Sequence, residues 1–323
     1  MTAGSSEILC EPHDHIVNFY DADDDLVVDV SRFVADGLRE EATVLAIATR
    51  AHVDAVDALL AADGVDVAAA RRSGRFLCLD ATATLGEIMV DGTPDRDRFR
   101  AVVGQMVAAA GRTGRPVRAF GEMVALLWDE GNVSAAIDLE ALWNDLGRDH
   151  RFSLYCAYAI SSLAGADDLP AAGLVCTHHS SVIAPVSYAA PTTVRGGDVP
   201  ERSHLFVPVP QAIQAVRRFV ADALIAWSED GLRGDATLVA SELATNALRH
   251  ANSAFRVSVR RNDATITIAV HDVSPSLPIR RDPVTHEMNG RGVAMVERIS
   301  VDWGTDQLPD GKVVWAELAR STR

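Results

Sequence analysis

The first half of this 323-residue chain reads as an α/β domain built on a doubly wound, mainly parallel sheet, and the last third as a separate α+β domain. Three observations predict this. Short apolar runs alternate with stretches of helical periodicity through the first half. A segment rich in proline, glycine and Ser/Thr, SSVIAPVSYAAPTTVRGGDVPERSH, then breaks the rhythm. Beyond it, helical and strand patterns are mixed instead of alternating.

Taken in order, strands are expected over 16–20, 44–48, 75–79, 117–120 and 152–158. Helices are expected between them over 25–39, 51–62, 95–112 and 134–147, where apolar residues recur at three- and four-residue spacing, as in Val102, Met106 and Ala109. The first domain is placed at 11–180, a linker at 181–203 and the second domain at 204–323. In the second domain, 211–230 and 235–251 read as helices. Strands over 255–261 and 264–271 are joined across Asn262-Asp263, a hairpin signal; a helix over 292–299 and a closing strand over 313–318 come after them.

The chain is 48% hydrophobic and 23% charged, enough to build cores and stay in solution, and its formal charge is −15. Such an acidic surface repels phosphate backbones and anionic lipid, so neither direct nucleic-acid nor membrane binding is expected. No apolar run reaches the roughly 18 to 20 residues of a membrane span. The opening MTAGSSEILCEPHDH lacks the basic start and apolar stretch of a signal peptide. Cys10, Cys78, Cys156 and Cys176 are scattered without a CxxC pair, which reads as buried or incidental thiols in a reducing cytoplasm.

The most informative stretch is SELATNALRHA, Ser241 to Ala251. On a helix Glu242, Asn246 and His250 share one face, with Arg249 beside it, while Leu243, Ala244, Ala247 and Leu248 spread over the other. Asn can hold Mg²⁺ through its carbonyl oxygen, and Glu can take a proton from a nucleophile. The bland alternative is an amphipathic helix with a polar face. The order of the more C-terminal elements weighs against it. Asp272 stands at a strand end, where a buried carboxylate could meet an adenine amino group. A polar segment over 280–289 leads to Gly290, Arg291 and Gly292 at a helix start, where backbone N–H groups can approach phosphates, and Gly311 turns into the last strand.

This ordered set resembles the Bergerat-type nucleotide site of the GHKL ATPase superfamily. ELATNALRHA, GRGVAMV and GKVVW are most similar to the anti-sigma-factor serine/threonine kinases, over about the last 120 residues. The resemblance implies ATP and Mg²⁺ as cofactors, with Glu242 as general base and Asn246 as the metal ligand. Asp272 would bind adenine, and Gly290, Arg291 and Gly292 would close over the phosphates. Arg249, His250, Ser274, Val293 and Lys312 fall in the same nucleotide-binding set. The implied partner is an anti-sigma-factor antagonist, a sigma factor or both, and the implied assembly a homodimer. Ser274 stands where the family often has glycine, and Val313 where it usually has threonine; both bear on catalysis more than on binding. A two-component histidine kinase is rejected, because Pro185, Pro191 and Pro200 break the region where its dimerising helices would lie. A gyrase or chaperone would need a longer chain. The non-catalytic alternative is a nucleotide-dependent switch that sequesters a partner.

After the strand at 44–48 comes Thr49-Arg50-Ala51-His52, without the glycines and lysine of a P-loop, so no ATP use is expected there. HIVNFYDADDD, AFGEMVALLWDEGN, LEALWNDL and LYCAYAI are similar to the MEDS sensory domain, which is regarded as a P-loop-less relative of RecA- and KaiC-type folds. An unidentified small ligand is expected at the carboxyl ends of the strands. His15, Tyr20, Glu122 and Trp128 are its candidate residues, although Trp128 and Trp143 also suit a core. Cys176, His178 and His179 invite a metal reading, but no further ligands stand at suitable spacing, and it is not adopted. No nucleophile elbow or triad marks the first domain as an enzyme.

Overall fold

Parallel strands covered on both faces need apolar residues at nearly every position, whereas strands covered on one face alternate, and the two halves of the chain differ in this way. The computed structural model describes residues 14–163, 169–185, 201–251, 253–275, 291–309 and 311–320. They fall into two units. One runs to Ser162 and adds His178–Ile183; the other holds Leu163–Thr177 and the chain from Ala184.

The first unit alternates β1 (His15–Tyr20), α1 (Asp23–Arg39), β2 (Thr43–Ala48), α2 (Arg50–Ala62), α3 (Val67–Arg72), β3 (Phe76–Asp80) and α4 (Ala81–Ile88). A small hairpin of β4 (Met89–Val90) and β5 (Thr93–Pro94) comes next. The single helix expected over 95–112 is instead α5 (Arg96–Phe99) and α6 (Gln105–Gly111), with a π-helical stretch over Arg100–Gly104 between them. The chain continues through β6 (Val117–Gly121), α7 (Met123–Asp129), α8 (Val133–Asp149), β7 (Ser153–Ala159), α9 (Leu169–His178) and β8 (Ser181–Ile183). The six strands lie in the order β3-β2-β6-β7-β1-β8, and every pairing is parallel. In β2, TVLAIA is buried at all positions.

Side-chain alternation splits this sheet between two cores. Ile16, Val44, Ala46, Phe120 and Tyr155 face α1 and α2 and pack with Phe33 and Leu60. On the other face Trp143 of α8 stands edge-on to Phe99 at 5.1 Å and lies against Gly121, while Trp128 of α7 stands edge-on to Tyr158 at 5.5 Å.

The second unit contains β9 (Glu201–Phe206), α10 (Gln211–Ala226), α11 (Arg233–Ala251), β10 (Phe255–Arg261), β11 (Thr265–Asp272), α12 (Arg291–Ile299), β12 (Asp302–Leu308) and β13 (Gly311–Ala319). Its five strands are antiparallel in the order β12-β13-β11-β10-β9. Alternate residues of β11 are buried, as one covered face requires. α11 packs on β11 through small residues, Ala236, Ala240, Ala244 and Ala247, which let helix and sheet approach closely. Phe206 stacks on Phe255 at 5.8 Å and meets Phe219 edge-on. Against the expected linker over 181–203, residues 181–183 form β8 beside β1, and β9 begins at Glu201; residues 186–200 lie outside the described residues. α9 is a further element that periodicity does not predict. It clusters with the second unit, where Gly173 lies against Ser253 and Val273. Among the described residues no helix is long and apolar enough to cross a membrane.

Trp143 is 1% exposed, so Trp143→Ala should cost about 3–5 kcal/mol in the first unit. Urea unfolding followed by far-UV circular dichroism should show an earlier transition for that unit.

Candidate functional site

In the second unit the buried side of α11 is apolar, and Glu242 and Asn246 come out half-buried one turn apart, with Arg249 and His250 exposed at the helix end. Asp272 closes β11 and is 2% exposed. Its Oδ1 accepts from the Ser274 backbone N–H at 2.8 Å and from Lys312 Nζ at 2.8 Å, and Lys312 also donates to the Ser274 carbonyl at 3.2 Å. Lys312 is itself 4% exposed and stands directly across the ladder from Asp272. Among the described residues no bond reaches Asp272 Oδ2, which leaves that oxygen to accept from a ligand amine.

The turn that brings Lys312 there depends on one glycine. Gly311 has φ +148°, and a Cβ on it would fall 2.0 Å from the Asp272 carbonyl oxygen. Ser274, which stands where the family often has glycine, serves Asp272 through its backbone N–H, a group that every residue but proline offers. Val313 is paired with His271. Arg291 and Gly292 open α12 and Val293 is half-buried in it. Gly290, the segment over 280–289 and the Arg291 side chain lie outside the described residues.

In the first unit Glu122 follows β6 and Thr49 follows β2, at the point where neighbouring strands lead their helices in opposite directions. Glu122 is 4% exposed, and its carboxylate accepts from the Thr49 N–H at 2.7 Å, from the Thr49 hydroxyl at 3.3 Å and from His52 Nδ1 at 2.6 Å. The amino end of α2, where a P-loop protein would place phosphate, thus receives a carboxylate from the protein's own chain. The Glu122 hydrogen bond raises the His52 pKa, partly opposed by burial. Below His52 a small apolar cavity is lined by Leu26, Ala46, Val53, Phe76 and Phe120. Tyr20 lies near the same carboxylate, and burial, then Asp23, Glu122 and Asp129, push its phenol well above the ordinary range.

The four residues named for a sensory ligand do not converge. Tyr20 and Glu122 share the carboxyl ends of the strands. Trp128 is buried in the core and donates its indole N–H to the Ser162 carbonyl at 3.1 Å. His15 opens β1, about 16 Å of extended strand from Tyr20. It joins Glu140, Cys156 and His179 instead. Burial works to raise the Glu140 carboxyl, but His179, His15 and the Tyr158 hydroxyl outweigh it and hold it at about 2. Cys176, grouped with His179 in sequence, is buried in the other unit, where burial pushes its thiol up to about 12. Sequence reading missed His52, Glu140 and Cys156. The signal for Glu140 was its place on the apolar stripe of α8, next to Leu139 and one turn before Trp143.

A family model described as the methanogen/methylotroph, DcmR sensory domain (MEDS) matches residues 14–179, slightly more than half of the chain. A second, for the histidine kinase-like ATPase domain, matches residues 206–318. No curated protein matches the chain. The chain therefore joins a sensory domain to an ATP-binding, kinase-like domain of the GHKL type.

Removing one member of the buried Asp272–Lys312 pair leaves an uncompensated charge, so Lys312→Met should destabilise the second unit by about 3–5 kcal/mol. Asp272→Asn in the same chain should restore most of that loss, as read by denaturant midpoints. His52 gains its proton more readily folded than unfolded. Its stabilisation is therefore complete below the unfolded value of about 6.5 and fades as pH rises through the higher folded value. Thermal melts from pH 6 upward should show this fall in the native protein and a flatter profile in His52→Gln.

Proposed function

The chain belongs to the MEDS family of sensory domains, and from that premise we propose that it is a sensor-linked, ATP-dependent serine/threonine protein kinase acting on an anti-sigma-factor antagonist. Binding of a sigma factor by the same unit belongs to this reading, as do action in the cytoplasm and assembly as a homodimer. The observation that carries it is α11, which presents half-buried Glu242 and Asn246 and packs on the strand that ends in buried Asp272.

These residues fit a Mg²⁺-bound nucleotide. Asp272 Oδ2 is available to an adenine amino group, and Lys312 with the Ser274 N–H fixes the orientation of the carboxylate through Oδ1. Asn246 would hold the metal through its side-chain carbonyl oxygen. Bound ATP would supply the transferable γ-phosphoryl group. Glu242, one turn before Asn246, would orient the acceptor hydroxyl and take its proton. Gly290, Arg291 and Gly292 would meet the phosphates at the amino end of α12, where helix N–H groups favour negative charge. On the sensory side, a small ligand would act where Tyr20, His52 and Glu122 meet at the strand ends. The charge of −15 argues against direct nucleic-acid binding.

One observation favours a second reading, a nucleotide-dependent switch without phosphoryl transfer. Val313, paired with His271 beside the Asp272–Lys312 pair, brings no hydroxyl to the site. Calorimetry with Mg·ATP and a transfer assay on purified antagonist separate the two. The kinase reading expects ATP binding that is lost in Asp272→Ala. It also expects Glu242→Ala to keep nucleotide affinity while losing at least about 100-fold in transfer. ATP binding with no transfer to any serine or threonine would leave the switch, and no ATP binding by the native chain would overturn both.

A further inference from the structure

We propose that His15, Glu140, Cys156 and His179 form a closed, four-coordinate site for a divalent cation of the zinc class inside the first unit. The four come from separate parts of the chain. His15 opens β1, Cys156 lies in the adjoining β7, Glu140 points inward from α8, and His179 follows the last residue of α9. Glu140 and Cys156 are 0% exposed, His15 is 8% exposed, and the His179 side chain is fully covered.

Their donor atoms converge on one point. His15 Nε2 is 3.2 Å from Glu140 Oε2 and 3.4 Å from Cys156 Sγ. The same Glu140 oxygen is 3.5 Å from His179 Nε2 and 3.7 Å from Cys156 Sγ, and the four donor atoms lie within 4.8 Å of one another. Zinc bonds of about 2.0 Å to nitrogen and oxygen and about 2.3 Å to sulfur put neighbouring ligands of a tetrahedron about 3.3–3.8 Å apart. Four of the six donor pairs are close to that spacing, and none exceeds 4.8 Å.

The hydrogen bonds behind the donors fix which way they point. Asn144 donates through Nδ2 to the His178 carbonyl at 3.0 Å, so its Oδ1 must face His15 Nδ1, 3.0 Å away. His15 therefore donates from Nδ1, and in the neutral ring the Nε2 lone pair points at a carboxylate oxygen and a sulfur. A cation at the centre would satisfy all four donors together. Tyr158 donates to the other Glu140 oxygen at 2.7 Å, leaving Oε2 for the centre. Oriented ligands of this kind are what metal sites carry around their first layer. A divalent cation would take the place of the Cys156 thiol proton and balance the charge of the Glu140 carboxylate and of the thiolate formed on binding. A mixed N, O, S set suits zinc, and four protein ligands leave no position for a reactive water, so the site is structural or regulatory and not hydrolytic.

The test uses the full chain purified without chelator. Elemental analysis should find about one zinc per chain. Exchange for Co²⁺ should give the intense visible bands of tetrahedral cobalt and a thiolate-to-cobalt charge-transfer band. Cys156→Ser should abolish the charge-transfer band, and His179→Gln should lower zinc retention at least about 10-fold. Should either variant fail to fold by circular dichroism, the wild-type cobalt spectrum decides the matter. A folded native protein that retains no metal and gives no cobalt bands would overturn the proposal, leaving a metal-free ion-pair cluster. So would zinc content and cobalt spectra unchanged in both folded variants, which would put the metal elsewhere.

Discussion

Burying a carboxylate costs several kcal/mol unless hydrogen bonds or an opposite charge replace the water it loses, and among the described residues three are buried, Asp272, Glu122 and Glu140. Asp272 is met by Lys312 and a backbone N–H, Glu122 by Thr49 and His52, and Glu140 by His15, His179 and Tyr158. Each set is drawn from segments far apart in sequence. The requirement that none of these charges be left alone therefore fixes how strands, helix ends and turns are placed around them. Gly311 illustrates the reach of this constraint, since the lysine that compensates Asp272 can only be delivered through a turn with no room for a Cβ.

The two units answer the question of anion binding in opposite ways. In the first, the amino end of α2 beside the central strands is the position a nucleotide-binding α/β sheet would use for phosphate, and Glu122 already satisfies it. That arrangement agrees with the missing glycines and lysine after β2. In the second unit α12 opens on Arg291 and Gly292 of a Gly-Arg-Gly sequence, and the ATPase family match runs from the last residue of β9 into β13.

Three of the strands that sequence periodicity did not reveal share a position. β8, β9 and β12 are all outermost strands of their sheets. An edge strand has a partner on one side only and tolerates charge and polarity, as in ERSHLF and DWGTDQL, so neither continuous apolar runs nor clean alternation marks it. The interior strands β1, β2, β6, β7, β10 and β11 were legible for the opposite reason. The same limit applied to side chains. Asp272 could be placed at a strand end from the sequence, while the salt bridge that holds it came only with the register of β11 against β13. His15 and Tyr20 were both expected at the sensory ligand, yet the two stand at opposite ends of β1.

By itself the sequence determined the parallel sheet of the first domain, the hairpin of β10 and β11 in the second, and the order of elements that identifies the ATPase unit. These depend on local periodicity and on motifs contained within one segment. Only the tertiary structure decided that the Glu122 carboxylate serves the amino end of α2, that Trp128 belongs to the core, and that His15, Glu140, Cys156 and His179 meet. Those facts depend on which strands become neighbours and in what register, and such long-range pairing leaves no periodic trace along the chain.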